Sequence, residues 1–294
     1  MEEIESIKKN IRNEYDIGYE IAKGSYGSVR SCRSKANGQE FACKTLSKRD
    51  DNVRTEISIM QHLSGNPSLV NLYAVYEDFR SFHLVMDLCN GGDLFDRFEE
   101  ETKFSELRAA GILQELMLGI KYCHDMGVVH KDVKPENILL TSSGKIKLAD
   151  FGLAERISPG QSLSSMVGSP IYVAPEVFDE KYSEKVDIWS AGVILHTLLV
   201  GYLPFDGDTA DEIYEEHQKM NLDLTGEIWE SISNSARDLI MRMLTKDVAL
   251  RLSADEVLRH PWFLLYTDQL MKPTTRLETE KQGKRLRCSF APTG

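Results

Sequence analysis

The sequence predicts an α+β fold of two lobes, a small one built mostly of strands and a larger one built mostly of helices. Three observations predict it. Strand-like segments crowd the stretch from Tyr15 to Asp87, helical segments dominate after Gly91-Gly92, and 294 residues exceed what one small core needs. Strands first and helices later put the lobe boundary near Cys89–Gly92. The expected organisation is an N-terminal extension over residues 1–14, a domain over 15–263 and a tail over 264–294. Within the domain the lobes cover about 15–88 and 89–263.

Tyr15–Lys23 and Ser28–Ser34 read as strands around a glycine-containing turn. Ala36-Asn37-Gly38 supplies the next turn, because Asn-Gly tolerates positive φ, and Glu40–Thr45 is the third strand. Asp51 or Asn52 is the expected cap of a helix carrying Val53, Ile57, Met60 and Leu63 on adjoining faces. Strands around Leu69–Glu77 and Ser81–Asp87 follow. Ser105 is a good N-cap, with Glu106 near the positive helix end. Ile112, Leu113, Leu116, Met117, Ile120 and Cys123 then form a buried stripe, and Gly127 ends the helix. Lys185–Val200, Thr209–Met220, Ser233–Leu244 and Ser253–Arg259 are further expected helices. From Thr267 on, little periodicity remains, and a mobile tail is expected. No internal repeat is present.

Composition narrows the function classes. Hydrophobic residues at 41% and charged residues at 28% argue against wholesale disorder. Lys plus Arg total 35 against 46 Asp plus Glu, and the resulting charge of -11 disfavours nucleic-acid binding. No apolar run is long enough to span a bilayer. The polar start is unlike a secretory signal, and Glu2 stands where N-myristoylation needs glycine, so no membrane association is expected. Cys32, Cys43, Cys89, Cys123 and Cys288 form no CxxC pair. They read as reduced thiols of a cytoplasmic protein without a zinc site. The basic stretch Lys281–Arg287 reads as a solvated tail, with nuclear targeting left open.

Four segments carry chemistry. Ala22-Lys23-Gly24-Ser25-Tyr26-Gly27-Ser28-Val29 matches G-x-G-x-x-G-x-V except at Ala22, and its glycines let backbone amides approach phosphate oxygens. Lys44 ends an apolar strand and can point its ammonium at phosphates if Glu56, 12 residues on, holds it; a solvated surface pair is the alternative. In His130-Lys131-Asp132-Val133-Lys134-Pro135-Glu136-Asn137, Asp132 can accept or orient a hydroxyl proton. Lys134 can neutralise a transferred phosphoryl group, and Asn137 offers the hard oxygen that Mg²⁺ prefers. Asp150-Phe151-Gly152 follows an apolar run, and the Asp150 carboxylate can bridge Mg²⁺ to phosphates. Downstream, Glu176 of Ala174-Pro175-Glu176 can pair with Arg251.

In this order the segments resemble the eukaryotic protein kinases, from about Tyr15 to Phe263. The resemblance implies the two-lobed protein kinase fold and an ATP- and Mg²⁺-dependent enzyme acting on protein substrates. It implies that Lys44, paired with Glu56, holds the α- and β-phosphates, that Asp132 is the catalytic base, and that Asn137 and Asp150 ligate Mg²⁺. Met86 would be the gatekeeper and Asp87 to Cys89 the adenine-binding hinge. Val29, Ala42 and Leu139 would sandwich the adenine, and Asp93 would sit near ribose and substrate peptide. Met60, Leu72, His130 and Phe151 would align the lobes. Ser169, holding Asp132 and Lys134, and the segment Lys134-Pro135-Glu136 imply Ser/Thr specificity. Asp93 and Glu136 would receive a basic residue three positions before the acceptor.

Leu84-Val85-Met86-Asp87-Leu88-Cys89-Asn90-Gly91-Gly92-Asp93-Leu94-Phe95-Asp96-Arg97 resembles plant calcium-dependent protein kinases, as do Tyr182–Ser190 and His260-Pro261-Trp262. The chain shows no D-x-D-x-D-G loop, so direct Ca²⁺ binding is not expected. Arg259–Trp262 with Tyr266-Thr267-Asp268 resembles more closely the plant kinases related to phosphoenolpyruvate carboxylase kinase. Two departures stand out. Ala22 adds a methyl where glycine is usual, with a modest expected loosening of the loop. Lys131 replaces an arginine and cannot grip a phosphate with two prongs, so control through the matching phosphosite, Ser165, is expected to be weaker. A catalytically inert kinase-like scaffold is the alternative reading, and a small-molecule kinase of related fold a more distant one.

Overall fold

Period-two patterning in the first third of the chain builds one sheet, and longer apolar stripes downstream build the helices that support it. The computed structural model describes residues 7–24, 27–100, 103–205, 207–219, 222 and 224–266. The tail from Thr267 on, including Cys288 and the basic stretch, lies outside the described residues, as do Ser25 and Tyr26 of the glycine turn.

The sheet comprises β1 (Ile7–Lys9), β2 (Tyr15–Gly24), β3 (Gly27–Ser34), β4 (Glu40–Ser47), β5 (Leu72–Glu77) and β6 (Ser81–Met86), in the order β1-β5-β6-β4-β3-β2. Antiparallel pairing runs throughout except at β1, which lies parallel to β5. Residues before Tyr15 thus join the sheet, and Ile11 buries itself with Cys32, Phe41, Cys43, Tyr76 and Val85 over one face. Helix α1 (Val53–His62) covers the other face through Val53, Ile57 and Met60. Asn52 occupies its N-cap position without a side-chain bond; instead the Asp50 carboxylate accepts the Asn52 N–H at 3.0 Å. Strand β5 begins at Leu72, because Leu69 pairs with Leu148 of the other lobe instead.

The second lobe opens with α2 (Leu94–Glu100) and α3 (Glu106–Asp125). Ser105 caps α3 by accepting the Arg108 N–H, and Gly127 follows its end in the left-handed region at φ 68°. The short strands β7 (Val128–Val129), β8 (Ile138–Leu140), β9 (Ile146–Leu148) and β10 (Glu155–Arg156) pair as β7–β10 and β8–β9. Helix α4 (Val186–Val200) is buried on every side, as a helix apolar all round should be. Against it pack α5 (Ala210–Lys219), α6 (Glu227–Glu230) and α7 (Asn234–Met243), while α8 (Ala254–Leu258) packs on α3 and α9 (Pro261–Leu264) on α7. Ser233 and Ser253 cap α7 and α8, the latter in a capping box with Glu256. Glu106 locks the far end by accepting from Ser233, Trp262 and Tyr266.

One large core runs through both lobes. It includes Met60, Leu72 and Phe151, with the His130 ring edge-on to Phe151 at 5.0 Å. His130 is fully buried and lies 3.0 Å from the Ala149 carbonyl through Nε2, so it packs and spaces the chain.

Candidate active site

The site forms where the sheet meets the short strands of the second lobe. Strand β4 carries Lys44 and α1 carries Glu56, and the ammonium donates to Glu56 at 2.6 Å and to Asp150 at 2.9 Å. Lys44 and Glu56 are 17% and 6% exposed, which rules out a solvated surface pair. Burial by itself would lower the Lys44 pKa, but the charges of Glu56 and Asp150 raise it above the usual lysine value. Burial also raises the Glu56 carboxyl. Asp150 ends low, because Lys44 outweighs the desolvation that would raise it. Asp150 is strained at φ 62°.

Asn137 reaches the same place through backbone pairing. Ile138 opposes Leu148 across β8–β9, and the Ala149 N–H donates to the Asn137 carbonyl at 2.8 Å, which sets Asn137 beside the residue preceding Asp150. The Asn137 amide nitrogen donates to the Asp132 carbonyl at 2.8 Å and to its carboxylate at 3.0 Å. Lys134 sits 2.9 Å from that carboxylate, and Ser169 donates to its other oxygen at 3.0 Å while accepting from Lys134 at 2.9 Å. Gly168 makes this approach feasible. A β-carbon there would meet the Lys131 carbonyl at 2.7 Å, and its φ is 111°.

The remaining expected nucleotide contacts are placed by strand register. Val29 opposes Lys44, Ala42 opposes Met86, and Leu139 bridges to Asp93. Asp87 turns its carboxylate away, accepting from Asn71, Tyr73 and Lys147, and these bonds lower its pKa against the burial that would raise it. Its backbone carbonyl, and the N–H and C=O of Cys89, make no hydrogen bond to the described residues. These are the groups a planar base with one donor and one acceptor edge would meet. Burial pushes the Cys89 thiol up to about 11, so it is protonated at neutral pH. Asp93 accepts the Asp96 N–H at the start of α2, and Glu136 is exposed.

The glycine turn differs from expectation in one respect. Gly24 opposes Gly27 across β2–β3, but a β-carbon on Gly27 would meet the Thr45 carbonyl at 2.1 Å. This glycine serves close strand packing as well as phosphate approach. Ala22 and Lys23 lie exposed in β2, and Ala22 avoids the left-handed region, so its methyl costs no backbone strain.

Two groups that hold the site escaped the sequence reading. Asp187, buried at 1% exposure, accepts the His130 N–H and Lys131 N–H and lies 2.9 Å from His124 Nε2. Burial would raise its pKa, but His124 and these bonds hold it below the usual carboxylate range. The one available signal is a lone acid in the first turn of an otherwise apolar helix. Glu155 is the second, and it bonds Lys131 at 2.7 Å. The expected Glu176–Arg251 pair does form, at 2.5 and 2.8 Å and almost wholly buried, with Arg251 also over the Trp189 ring.

The protein kinase domain model matches residues 15–263. The chain belongs to the protein kinase family. It is 58% identical over 265 residues to the serine/threonine-protein kinase PEPKR2 of Arabidopsis thaliana, covering 90% of this chain and 56% of that protein. It is 44% identical over 264 residues to calcium-dependent protein kinase 10 of Oryza sativa subsp. japonica, covering 86% of this chain and 44% of that protein. Calcium-dependent protein kinase 21 of Arabidopsis thaliana is 45% identical over 264 residues, covering 86% and 50%. The two-lobed kinase fold and the resemblance to these plant kinases are borne out, and the kinase domain is of the serine/threonine class. The chain spans about half the length of the curated relatives it matches.

Proposed function

We propose that this chain is an ATP-dependent serine/threonine kinase that transfers the γ-phosphoryl group of ATP to protein hydroxyls. What supports this most is the meeting of Lys44, Glu56 and Asp150 with Asp132, Lys134, Asn137 and Ser169 across one cleft. Phosphoryl transfer asks for positioning and charge neutralisation rather than a covalent intermediate, and this set offers both. Lys44 is poised for the α- and β-phosphates of the substrate ATP. Asp132 receives the acceptor hydroxyl and its proton as the new O–P bond forms and the bond to the bridging oxygen of ADP breaks. Lys134 faces the charge on the moving group, and Ser169 keeps Lys134 and Asp132 in register.

The donor set fits Mg²⁺. The Asn137 nitrogen is engaged, which leaves its oxygen free for a hard cation, and Asp150 keeps one carboxylate oxygen off Lys44. Those two residues would hold the ion, whose charge shields the phosphate oxygens from one another.

Exposed Glu136 and part-exposed Asp93 support a substrate with Arg or Lys three positions before the acceptor. Purified chain with γ-labelled ATP, Mg²⁺ and a generic protein substrate should place label on Ser and Thr, and Asp150→Ala should abolish it. A chain that binds ATP but labels nothing would be a scaffold. A peptide library without upstream basic preference would overturn the substrate part alone.

A further inference from the structure

Lys131 precedes the carboxylate that receives the acceptor hydroxyl, and only 6% of its side chain is exposed. Its backbone stands in the left-handed region at φ 68°, held there by the Asp187 carboxylate on its N–H. An ammonium this dry needs a counter-charge. It donates to Glu155 at 2.7 Å and to the Ser165 hydroxyl at 2.9 Å. That hydroxyl lies 3.3 Å from the same Glu155 oxygen and 2.9 Å from the Tyr182 hydroxyl, which donates to the Ser165 carbonyl at 2.6 Å.

Glu155 is also well placed to transmit. It opposes Val129 across β10–β7, directly before His130 and Lys131. Its neighbour Arg156 reaches the other way, to the Ser58 hydroxyl at 3.1 Å on the helix that carries Glu56. A two-residue strand therefore ties together the loop bearing Asp132, the segment bearing Ser165 and helix α1.

We infer that Glu155 is the built-in counter-ion that holds this segment in its working arrangement, so that activity needs no phosphate on Ser165 and a phosphate there lowers it. The inference rests on the kinase reading above. Glu155 already occupies the space and the charge balance that a phosphate would need. A phosphate carries nearly two negative charges at neutral pH. On Ser165 it would stand against the Glu155 carboxylate, with Lys131 the one cation bonded to Ser165 among the described residues. Lys131 is a point charge already balanced, so the added charge is left to repel Glu155 and to break the Tyr182 contact. Glu155 and Lys131 act through Asp132 and are positioning residues.

The test compares four proteins by kcat, by KM for ATP and by melting temperature. They are phosphatase-treated wild type, the chain carrying phosphoserine at 165 through codon expansion, Glu155→Gln, and the double variant Lys131→Met/Glu155→Met. The treated wild type should be active, and phosphoserine at 165 should lower kcat about fivefold or more. Glu155→Gln strands Lys131 and should lower kcat about tenfold, with KM for ATP held within about twofold. Removing both charges should restore kcat to within about threefold of wild type. A phosphorylated chain as fast as the treated wild type, or faster, overturns the inference. So does a Glu155→Gln variant as fast as wild type, or a double variant no better than Glu155→Gln. If Glu155→Gln folds poorly, the phosphoserine comparison still decides. A wild type without transfer strikes the kinase reading and this inference with it, whereas an active wild type indifferent to Glu155 strikes this inference alone.

Discussion

Asp150 and Asp187 both belong to the candidate active site, yet their surroundings treat them in opposite ways. Asp150 is 51% exposed and commits one oxygen to Lys44 and the Gly152 N–H. Asp187 is 1% exposed and commits both oxygens, one to the Lys131 N–H and the other to the His130 N–H and His124. Each carboxyl titrates low, but Lys44 causes it in the first and hydrogen bonds cause it in the second. The cleft leaves one carboxylate oxygen of Asp150 unbonded among the described residues, while the floor beneath it commits both oxygens of Asp187 to the fold. Arg251, bonded to Glu176, Thr245 and Lys185, belongs with the floor.

The comparison breaks if activity and stability do not separate along this line. The largest expected effect is from Asp150→Asn, which tolerates the left-handed φ of 62° and should cut kcat about a thousandfold or more while unfolding free energy, measured by denaturant titration, moves by less than about 1 kcal/mol. Asp187→Asn should reverse that pattern. Its amide keeps one acceptor oxygen and presents a donor to either the His130 or the Lys131 N–H, and it should cost about 2–3 kcal/mol of stability. Equal stability losses in the two variants would erase the distinction.

A smaller effect sharpens the account of the floor. His217 is fully buried between Trp189 and Phe205, and burial lowers its pKa to about 4; His196 behaves likewise. Both are neutral when folded, and the unfolded chain takes up their protons first. Stability is therefore whole above about pH 6.5 and is lost as pH falls toward 4, by about 2 kcal/mol per histidine at pH 5. Melting curves between pH 7 and 5 should show the drop, and His217→Phe should halve it, leaving the part that His196 contributes. The smallest effect expected is from Ala22→Gly. With Ala22 exposed and unstrained, KM for ATP should stay within about twofold, and a larger change would mean that the methyl touches the nucleotide.

The cleft was more legible in the sequence than the floor, for a physical reason. Asp132, Lys134 and Asn137 act within one short loop, so their spacing alone carries the chemistry. Lys44 and Glu56 belong to consecutive elements, and residue type and separation suffice to suggest the pair. Asp187 meets His130 from 57 residues away and Glu155 meets Lys131 from 24, where no periodicity links the partners. The same holds for β1, whose three residues pair in parallel with β5 and are too few to show alternation. Helix α1 is legible from its apolar face, but the bonding at its cap is not, because the Asp50 side chain and not that of Asp51 or Asn52 satisfies the N–H at its start.

We propose above all that Asp150 is held in reserve for a metal-bound nucleotide. Thermal melting of the wild type and Asp150→Asn, each with and without saturating ATP and Mg²⁺, tests it most directly. Without ligand the two should melt together. With ligand the wild type should rise by about 5 °C or more and the variant should barely move. A variant that rises as far as the wild type, or one that melts well below it before any ligand is added, would contradict the account.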